Sequence, residues 1–318
     1  TDYKMKNDEE CLKPIRNLVD KFGKPADAGF DRITPAKPAL NEEEIYGIIP
    51  ESITSQYDMH EVIKRLVDNS EIEEYKEDYG KSIVCCYARI DGWAVGIVAN
   101  QRTMVKAKKP KQGAAAAGAT GVEMQFGGVI YSDSADKAAR FIMNCNQKKI
   151  PLVFLQDVTG FMVGSRSEHG GIIKDGAKMV NAVSNSVVPK FTIVIGNSYG
   201  AGNYAMCGKA YGPRLIYAWP TSRVAVMGGD QAAKTMLQIE VAALKAKGQE
   251  IQPEDEKKLL DKIKTRYNKT LDPKYAAARL WTDGIIDPLD TRKVISMGIE
   301  AANQAPITKQ FSVGVIQT

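Results

Sequence analysis

The sequence predicts an α/β protein with a mostly parallel, buried sheet. Apolar, strand-like runs alternate with helix-like segments in the second half of the chain, and several of these runs end in turns of small residues. The 318 residues, of which 44% are hydrophobic and 25% charged, are enough for one large domain or two. The formal charge of +5 is a mild excess, and no apolar run reaches transmembrane length.

The predicted elements of the first half are short. Apolar positions across 8–21 are spaced for an amphipathic helix, and the prolines of 24–38 predict an irregular connector. A helix is expected over 58–66, with Asp58 near its start. Two strand-like runs across 82–98 flank Asp91-Gly92, a dipeptide typical of a β-hairpin.

A lysine- and alanine-rich segment at 101–126 interrupts this pattern. Its low complexity and paired glycines predict a mobile loop, or a short helix that orders with a partner. We expect its lysines to form a solvated loop, with contact to an anionic ligand or partner as the alternative. Nucleic acid is not an expected partner, because no aromatic residues are interleaved with these lysines and no binding motif contains them.

Beyond residue 128 the predicted elements alternate regularly. In order they are a strand at 129–131, a helix at 134–147, a strand at 151–156, a helix at 171–184, a strand at 190–195, a helix entered through a glycine-rich turn, extended runs at 215–218 and 223–227, and a helix at 230–247.

Three turns of small residues accompany the later strands, at 157–164, 196–202 and 227–230. Ligands of α/β folds gather where strands end and helices begin, so the three turns are expected to surround one site. The start of a helix presents free backbone N–H groups, and Gly200 and Gly202 have no side chain to keep an anionic oxygen away from them. The pattern predicts an oxyanion hole, and tight connections without a ligand are the alternative interpretation.

Side chains typical of acid–base or metal chemistry are scarce in this sequence. The only histidines are His60, an expected surface helix residue, and His169, an expected loop residue, so no metal site or catalytic triad is predicted. Ser198 lacks the sequence context of a nucleophile elbow, and the turns contain only Asp157 and Asp230 as carboxylates. The five cysteines form no C-x-x-C pair, and we expect reduced thiols.

Six segments of the chain together resemble the biotin-dependent acyl-CoA carboxyltransferases. They follow the order of that family and extend over about residues 45–310: 150–164, 174–179, 198–206, 218–220, 226–233 and 281–288. The Gly202-Asn203-Tyr204 version of the glycine turn is most similar to the β subunit of 3-methylcrotonyl-CoA carboxylase. Propionyl- and acetyl-CoA relatives tend to have Asp or Ile at the position of Tyr204.

The resemblance implies a crotonase-like ββα spiral of the ClpP/crotonase superfamily. Residues 1–44 would be the tail of a preceding domain and a junction, and residues 45–318 the C-terminal carboxyltransferase domain. In this family the active site forms between the N-terminal domain of one subunit and the C-terminal domain of another, so this chain alone would lack a complete site. The implied partners are that N-terminal domain, the biotin carboxyl carrier and biotin carboxylase subunits, an acyl-CoA, and further copies in a dimer-based oligomer such as a hexamer.

The resemblance also assigns roles to residues of the turns. The N–H groups of Ala201 and Gly202 would donate to the ureido oxygen of biotin, which is the implied cofactor on its carrier and itself acts as the base; no metal is implied. The residues expected to contact biotin are Gly160, Phe161, Met162, Val163 and Gly200, with ordinary packing as the alternative for the apolar ones. Tyr204 would tune the acyl specificity, unless it is a core aromatic residue. The implied location is the cytoplasm, or the mitochondrial matrix in a eukaryote.

Departures from the family pattern leave the acyl group and the direction of the reaction open. They are the 101–126 insertion, His60 at a position where Arg is common, and the unusual loop at 165–169. One alternative is the carboxyltransferase subunit of a sodium-pumping, biotin-dependent acyl-CoA decarboxylase. Another is a stand-alone hydratase or isomerase of the crotonase fold, which would need a carboxylate near the turns. The third is a non-catalytic module that assembles a larger oligomer.

Overall fold

The strands of the protein lie between residues 73 and 285. The computed structural model describes residues 3–23, 26–50, 52, 55–108, 122–246 and 252–316. Its strands, in chain order, are β1 (Glu73–Glu74), β2 (Ile83–Ile90), β3 (Trp93–Asn100), β4 (Val105–Lys108), β5 (Val122–Gln125), β6 (Val129–Ile130), β7 (Leu152–Val158), β8 (Gly160–Phe161), β9 (Lys190–Tyr199), β10 (Leu215–Ala218), β11 (Arg223–Ala225) and β12 (Gly284–Ile285).

In the sequence, helices lie between these strands and also before the first and after the last of them. In chain order they are α1 (Asp8–Val19), α2 (Ile45–Ile48), α3 (Met59–Leu66), α4 (Ser132–Lys148), α5 (Ser165–His169), α6 (Ile172–Asn185), α7 (Gly200–Ala205), α8 (Gly229–Ala246), α9 (Pro253–Leu271), α10 (Pro273–Ala277) and α11 (Thr291–Asn303).

The main sheet has the strand order β1-β2-β3-β7-β9-β10-β12, and β11 also pairs with β9. The pairs β1-β2 and β2-β3 are antiparallel, whereas β3, β7, β9, β10, β11 and β12 pair in parallel. Every residue of β7 is buried, as expected of a central strand covered on both faces. The predicted α/β class with a parallel-rich sheet is therefore confirmed.

Helices pack on both faces of the sheet and produce two apolar cores. On one face, Val153 and Leu155 of β7 pack in a cluster with residues of α3 and α11. On the other face, Leu152, Phe154 and Val158 pack with residues of α4, α6 and α7. Because side chains alternate along a strand, neighbouring residues of β7 belong to different cores. This alternation matters near the end of β7, where Gln156 and Asp157 are polar and point to opposite faces of the sheet.

Most predicted elements are present, with one informative difference at the glycine turn. Strand β9 was expected to end at residue 195, but it continues to Tyr199, and α7 follows at once. The extension is paired: Asn197, Ser198 and Tyr199 lie beside β11. The mobile loop or short helix predicted over 101–126 can be compared with the structure only near the ends of this segment. There β4 and β5 form an antiparallel pair, whereas residues 109–121 lie outside the described residues.

Candidate functional site

The three small-residue turns come together at the carboxyl ends of β7 and β9. A methyl group added to Gly202 would lie 2.7 Å from a Val158 methyl carbon and 3.2 Å from the Gly160 Cα. One added to Gly200 would lie 2.9 Å from the carbonyl oxygen of Val226, just before the turn that opens α8. The backbone of α7 therefore lies close to the 157–164 turn and to Val226, which precedes the third turn, and the glycines permit this close approach.

The first residues of α7, 200–202, present backbone donors and no ionisable side chain. Gly200 has a φ of +52°, a left-handed conformation that favours glycine, and Tyr199 before it is extended. No side chain caps this helix start. Because the first N–H groups of a helix have no acceptor within it, those of Ala201 and Gly202 remain for another partner. Ala201 is exposed and Gly202 is buried, so the helix start lies at the surface of the described structure.

The residues expected to contact biotin lie beside this helix start but differ in their surroundings. Phe161 is half-buried and packs on α6, where a methyl group at Gly176 would lie 2.8 Å from its ring. The backbone N–H of Met162 donates to the carbonyl of Ile130 at 2.8 Å. Val163 is 74% exposed. Val163 thus lies at the exposed edge of the surface around the start of α7, whereas the Phe161 ring packs between this surface and α6.

Tyr204 lies on α7, one helical turn from its start. Its side chain is 48% exposed, so the alternative of a core aromatic residue is wrong. The ring packs against that of Tyr211 with the ring centroids 5.6 Å apart. An exposed aromatic ring held by a neighbouring ring is available to contact a ligand or another subunit.

Asp157 forms a buried polar cluster on the opposite face of the sheet. Between β7 and β9 the register shifts, since Gln156 pairs with Val194 but Val158 pairs with Ser198. The Asp157 carboxylate lies opposite this irregular part of β9. Its Oδ1 accepts hydrogen bonds from the backbone N–H of Asn197 at 2.8 Å and from the Asn197 amide at 3.0 Å. The carboxylate therefore stabilises the β-bulge that precedes α7.

Two further side chains complete this Asp157 cluster. The hydroxyl of Tyr57 donates to Oδ2 of Asp157 at 2.9 Å, and Nε of Arg102 lies 3.1 Å from the same oxygen. Burial raises the pKa of the Asp157 carboxyl, and the charge of Arg102 opposes this rise. The pKa of Tyr57 is well above its ordinary value because its hydroxyl is buried beside a carboxylate. The adjoining cavity of about 30 Å³ has room for about one water, so the cluster does not open onto a substrate-sized space.

Neither carboxylate of the turns is placed as an acid–base group at the start of α7. Asp157 is committed to its buried cluster on the other face of the sheet. The side chain of Asp230 is 80% exposed, and its Oδ1 lies 2.9 Å from Nζ of Lys264. His169 is exposed at the end of α5. The interpretation as a stand-alone hydratase or isomerase therefore lacks the carboxylate it needs.

Comparisons with known proteins identify the family. The model of the carboxyl transferase domain matches residues 1–313. The chain belongs to the carboxyl transferase family. It is 42% identical to the biotin-dependent 3-methylcrotonyl-coenzyme A carboxylase beta1 subunit of Mycobacterium tuberculosis over 317 residues, which are 100% of this chain and 55% of that protein.

Two solved structures are similar to this carboxyl transferase chain. The beta subunit of P. aeruginosa geranyl-CoA carboxylase matches with a TM-score of 0.75 and 35% identity, over 99% of this chain and 55% of that one. Transcarboxylase 12S, a hexamer solved with hydrolysed methylmalonyl-coenzyme A, matches with a TM-score of 0.72 and 32% identity, over 96% and 54% of the two chains. The carboxyl transferase chain thus spans about half the length of these relatives.

His60 of the carboxyl transferase chain is not the surface helix residue expected from the sequence. Its ring nitrogens lie 2.8 Å from Oδ1 of Asp58 and 2.7 Å from Oε2 of Glu74. These two carboxylates raise the pKa of His60 to about 9. Glu74 also faces the fully buried Lys137, with Nζ and Oε1 3.2 Å apart. Sequence reasoning found only Asp58, the residue that caps α3, because Glu74 and Lys137 come from distant parts of the chain.

The described residues of the carboxyl transferase chain form neither a metal-binding cluster nor a membrane-spanning helix. Among these residues, no group of three or more His, Cys, Asp or Glu side chains is arranged to hold a metal ion. No described helix has the length and apolar character needed to cross a membrane.

Proposed function

We propose that this chain is the biotin-binding half of an acyl-CoA carboxyltransferase, which moves a carboxyl group between carboxybiotin and an acyl-CoA. The observation that carries the proposal is the uncapped start of α7, in a member of the carboxyl transferase family. Its backbone N–H groups have no acceptor within the helix, and its glycines lie close to Val158, Gly160 and Val226. A site of this kind stabilises developing negative charge without an ionisable side chain.

The residues around α7 fit the ureido end of biotin. Ala201 and Gly202 would donate their N–H groups to the ureido oxygen, and Gly200 and Gly160 leave the approach free of side chains. Val163 and Val226 are 74% and 75% exposed and provide apolar surface beside the donors. A ring system with one polar oxygen needs this combination of two donors and an apolar rim.

Biotin supplies the transferable carboxyl group and the base, and the chain supplies fixed dipoles. The N–H groups of Ala201 and Gly202 would hold the oxygen on which negative charge develops. Loss of one such donor costs about 10²–10³ in kcat in comparable sites. Asp157 and Asp230 take no part, since the first is buried in its own cluster and the second is paired with Lys264 at the surface.

We further propose that residues 45–318 form a crotonase-like ββα spiral and that residues 1–44 are a tail and junction of a preceding domain. The parallel-rich sheet with helices on both faces supports the first assignment. Helix α1 supports the second, because it has no buried residue and exposes apolar side chains such as Leu12 and Ile15. A second domain that supplies the acyl-CoA site would complete the enzyme.

For the substrate, we propose a branched or unsaturated short-chain acyl-CoA. The similarity to a 3-methylcrotonyl-coenzyme A carboxylase subunit supports this choice, and the exposed ring of Tyr204 is the candidate specificity residue. The proposed partners are the N-terminal carboxyltransferase domain of a paired subunit, a biotin carboxyl carrier and a biotin carboxylase. A dimer-based oligomer is proposed because transcarboxylase 12S is a hexamer.

The test is reconstitution with the N-terminal half. The chain, that half and a biotin carrier are combined, the carrier is charged with radiolabelled bicarbonate and ATP by biotin carboxylase, and single acyl-CoAs are added. We expect label to move to an acyl-CoA, with 3-methylcrotonyl-CoA ahead of acetyl-CoA, and no transfer without the N-terminal half. A folded, assembled complex that transfers label to no acyl-CoA would contradict the proposal and favour the assembly module.

A further inference from the structure

Three neutral side chains form a buried chain of hydrogen bonds behind α7. The Asn203 amide donates to the hydroxyl of Ser198 at 2.7 Å, and this hydroxyl donates to Oε1 of Gln156 at 2.7 Å. The Gln156 amide in turn donates to the carbonyl of Met206 at 2.6 Å. The chain of bonds thus begins on α7, crosses β9 and β7, and returns to the residue that ends α7.

The burial of these residues makes the geometry of their bonds restrictive. Gln156 and Ser198 are both fully buried, with 0% exposure. A buried polar group without a partner costs about 1–3 kcal/mol, so each donor and acceptor favours the arrangement in which all are paired. Asn203 is fixed from a second side, because a Cβ at Gly208 would overlap its amide. The side chains therefore hold α7 at both its middle and its end.

A helix as short as α7 needs such external support. It spans only residues 200–205, and isolated helices of this length are unstable. Its first residue, Gly200, is left-handed, and a glycine has many accessible conformations, so Gly200 does not define the helix direction by itself. The direction of the free N–H groups of α7 then depends on what α7 is bonded to.

We propose that Gln156, Ser198 and Asn203 are positioning residues, which aim the N–H groups of Ala201 and Gly202 at the reacting oxygen. This inference rests on the proposed function of α7. None of the three touches the substrate in this account, and each acts through the helix. A misplacement of about 1 Å in a preorganised site costs on the order of 10²-fold in rate, so loosening of α7 lowers kcat.

The experiment uses the assembled carboxyltransferase with its N-terminal half and biotin carrier. Ser198→Ala removes the central hydroxyl, and we expect kcat to fall about 10–100-fold. The KM for the acyl-CoA changes much less than kcat, because the other half would bind the CoA moiety and only Tyr204 of α7 is proposed to contact the acyl group. Hydrogen exchange of the α7 amides becomes faster. Asn203→Ala, which breaks the same chain from the helix side, gives the same pattern, and Ser198→Thr, which retains a hydroxyl, restores much of kcat.

Asn146 provides a matched control. It is buried, its amide donates to the carbonyl of Ile142, and its Oδ1 accepts from the N–H of Val187, all remote from α7. We expect Asn146→Ala to lower the melting temperature while it leaves kcat per folded molecule and α7 exchange unchanged. This control separates general destabilisation from misplacement of α7.

The results that overturn the inference differ from those that overturn the function. Wild-type kcat and unchanged α7 exchange in both Ser198→Ala and Asn203→Ala would show that the three residues do not position the helix. If Asn146→Ala lowered kcat as much as Ser198→Ala does, removal of any buried polar side chain would lower kcat, and the three residues would have no special positioning role. A wild-type complex that transfers no carboxyl group contradicts the proposed function itself, and the positioning role falls with it.

Discussion

The start of α7 and the Asp157 cluster lie at the same ends of β7 and β9, on opposite faces of the sheet, and they differ in nearly every chemical respect. The Asp157 cluster contains a buried carboxylate, a guanidinium and a phenol, with space for about one water. Residues 200–202 at the start of α7 have no ionisable side chain, and Ala201 is exposed. The ionisable residues therefore stabilise the fold, and the proposed chemistry belongs to the backbone.

This difference limits a common inference from perturbed pKa values. Strongly shifted groups often mark active sites, but structural ion pairs shift pKa values as well. Asp157 and Tyr57 are shifted mainly because they are buried, and their hydrogen bonds go to each other and to Asn197. Accessibility to a ligand distinguishes the two regions better than the size of a pKa shift.

The largest expected effect is on stability, from Asp157→Ala. The substitution leaves Arg102 buried without its carboxylate and removes the oxygen that accepts two hydrogen bonds from Asn197. Removal of one partner of a buried ion pair lowers the free energy of unfolding by about 3–5 kcal/mol. Urea unfolding measures this loss, and Asp157→Asn, which keeps the shape, should lose less. Wild-type stability of Asp157→Ala would mean that the cluster does not support the bulge.

The next effect is on activity, from Ala201→Pro. Proline removes one N–H group from the first turn of α7, a position where a helix tolerates it. We expect kcat to fall about 10²–10³-fold, or about 2.7–4 kcal/mol, with the melting temperature nearly unchanged. Ala201→Ser keeps the N–H group and is the control with near wild-type kcat. Full activity of a folded Ala201→Pro variant would remove the proposed donor.

His60 provides a pH-dependent test of the structural role of ionisable groups. Its pKa is raised from 6.5 to about 9 by Asp58 and Glu74. Charged His60 therefore stabilises the folded state fully below about pH 6.5. This contribution to the free energy of unfolding, about 2–3 kcal/mol in total, is lost as the pH rises through about 9. Urea unfolding from pH 6 to pH 10 checks this, with His60→Gln as the variant that lacks this dependence. Identical pH profiles for the two proteins would exclude a charged His60.

The smallest expected effect is that of Gly202→Ala. Its methyl group would lie 2.7 Å from Val158 and 3.2 Å from the Gly160 Cα, so α7 must move away from β8. Overpacking of this kind costs about 1–2 kcal/mol of stability, and the shift should also lower kcat. Ala205→Gly, on the same helix, removes a buried methyl group and is the control for a general loss of α7 stability. Unchanged kcat in Gly202→Ala would mean that the contact with Gly160 does not matter.

The sequence predicted the elements that depend on local patterns. The alternation of strands and helices from residue 129 and the Asp91-Gly92 hairpin both appear as expected, because apolar periodicity and turn residues determine them locally. The sequence pattern did not identify the extension of β9 to Tyr199. This extension depends on β11 and on Asp157, which come from other parts of the chain.

The candidate site was proposed from the sequence, but the contacts that support it could not be predicted. Small residues at 200–202 marked the helix start directly, and the collinear family segments gave their proposed role. The bond of Ser198 with Gln156 and the ion pair of Arg102 with Asp157 connect residues distant in sequence through one buried hydroxyl or carboxylate. No periodicity or spacing indicates such pairs, so tertiary structure was required to find them.

The most direct measurement is a crystal structure of the assembled enzyme with biotin bound. We expect the ureido oxygen within hydrogen-bond distance, about 3 Å, of the backbone nitrogens of Ala201 and Gly202, with Asp157 still bonded to Asn197 and Tyr57. A ureido oxygen bonded instead to an ionisable side chain, with the N–H groups of α7 facing solvent, would contradict it.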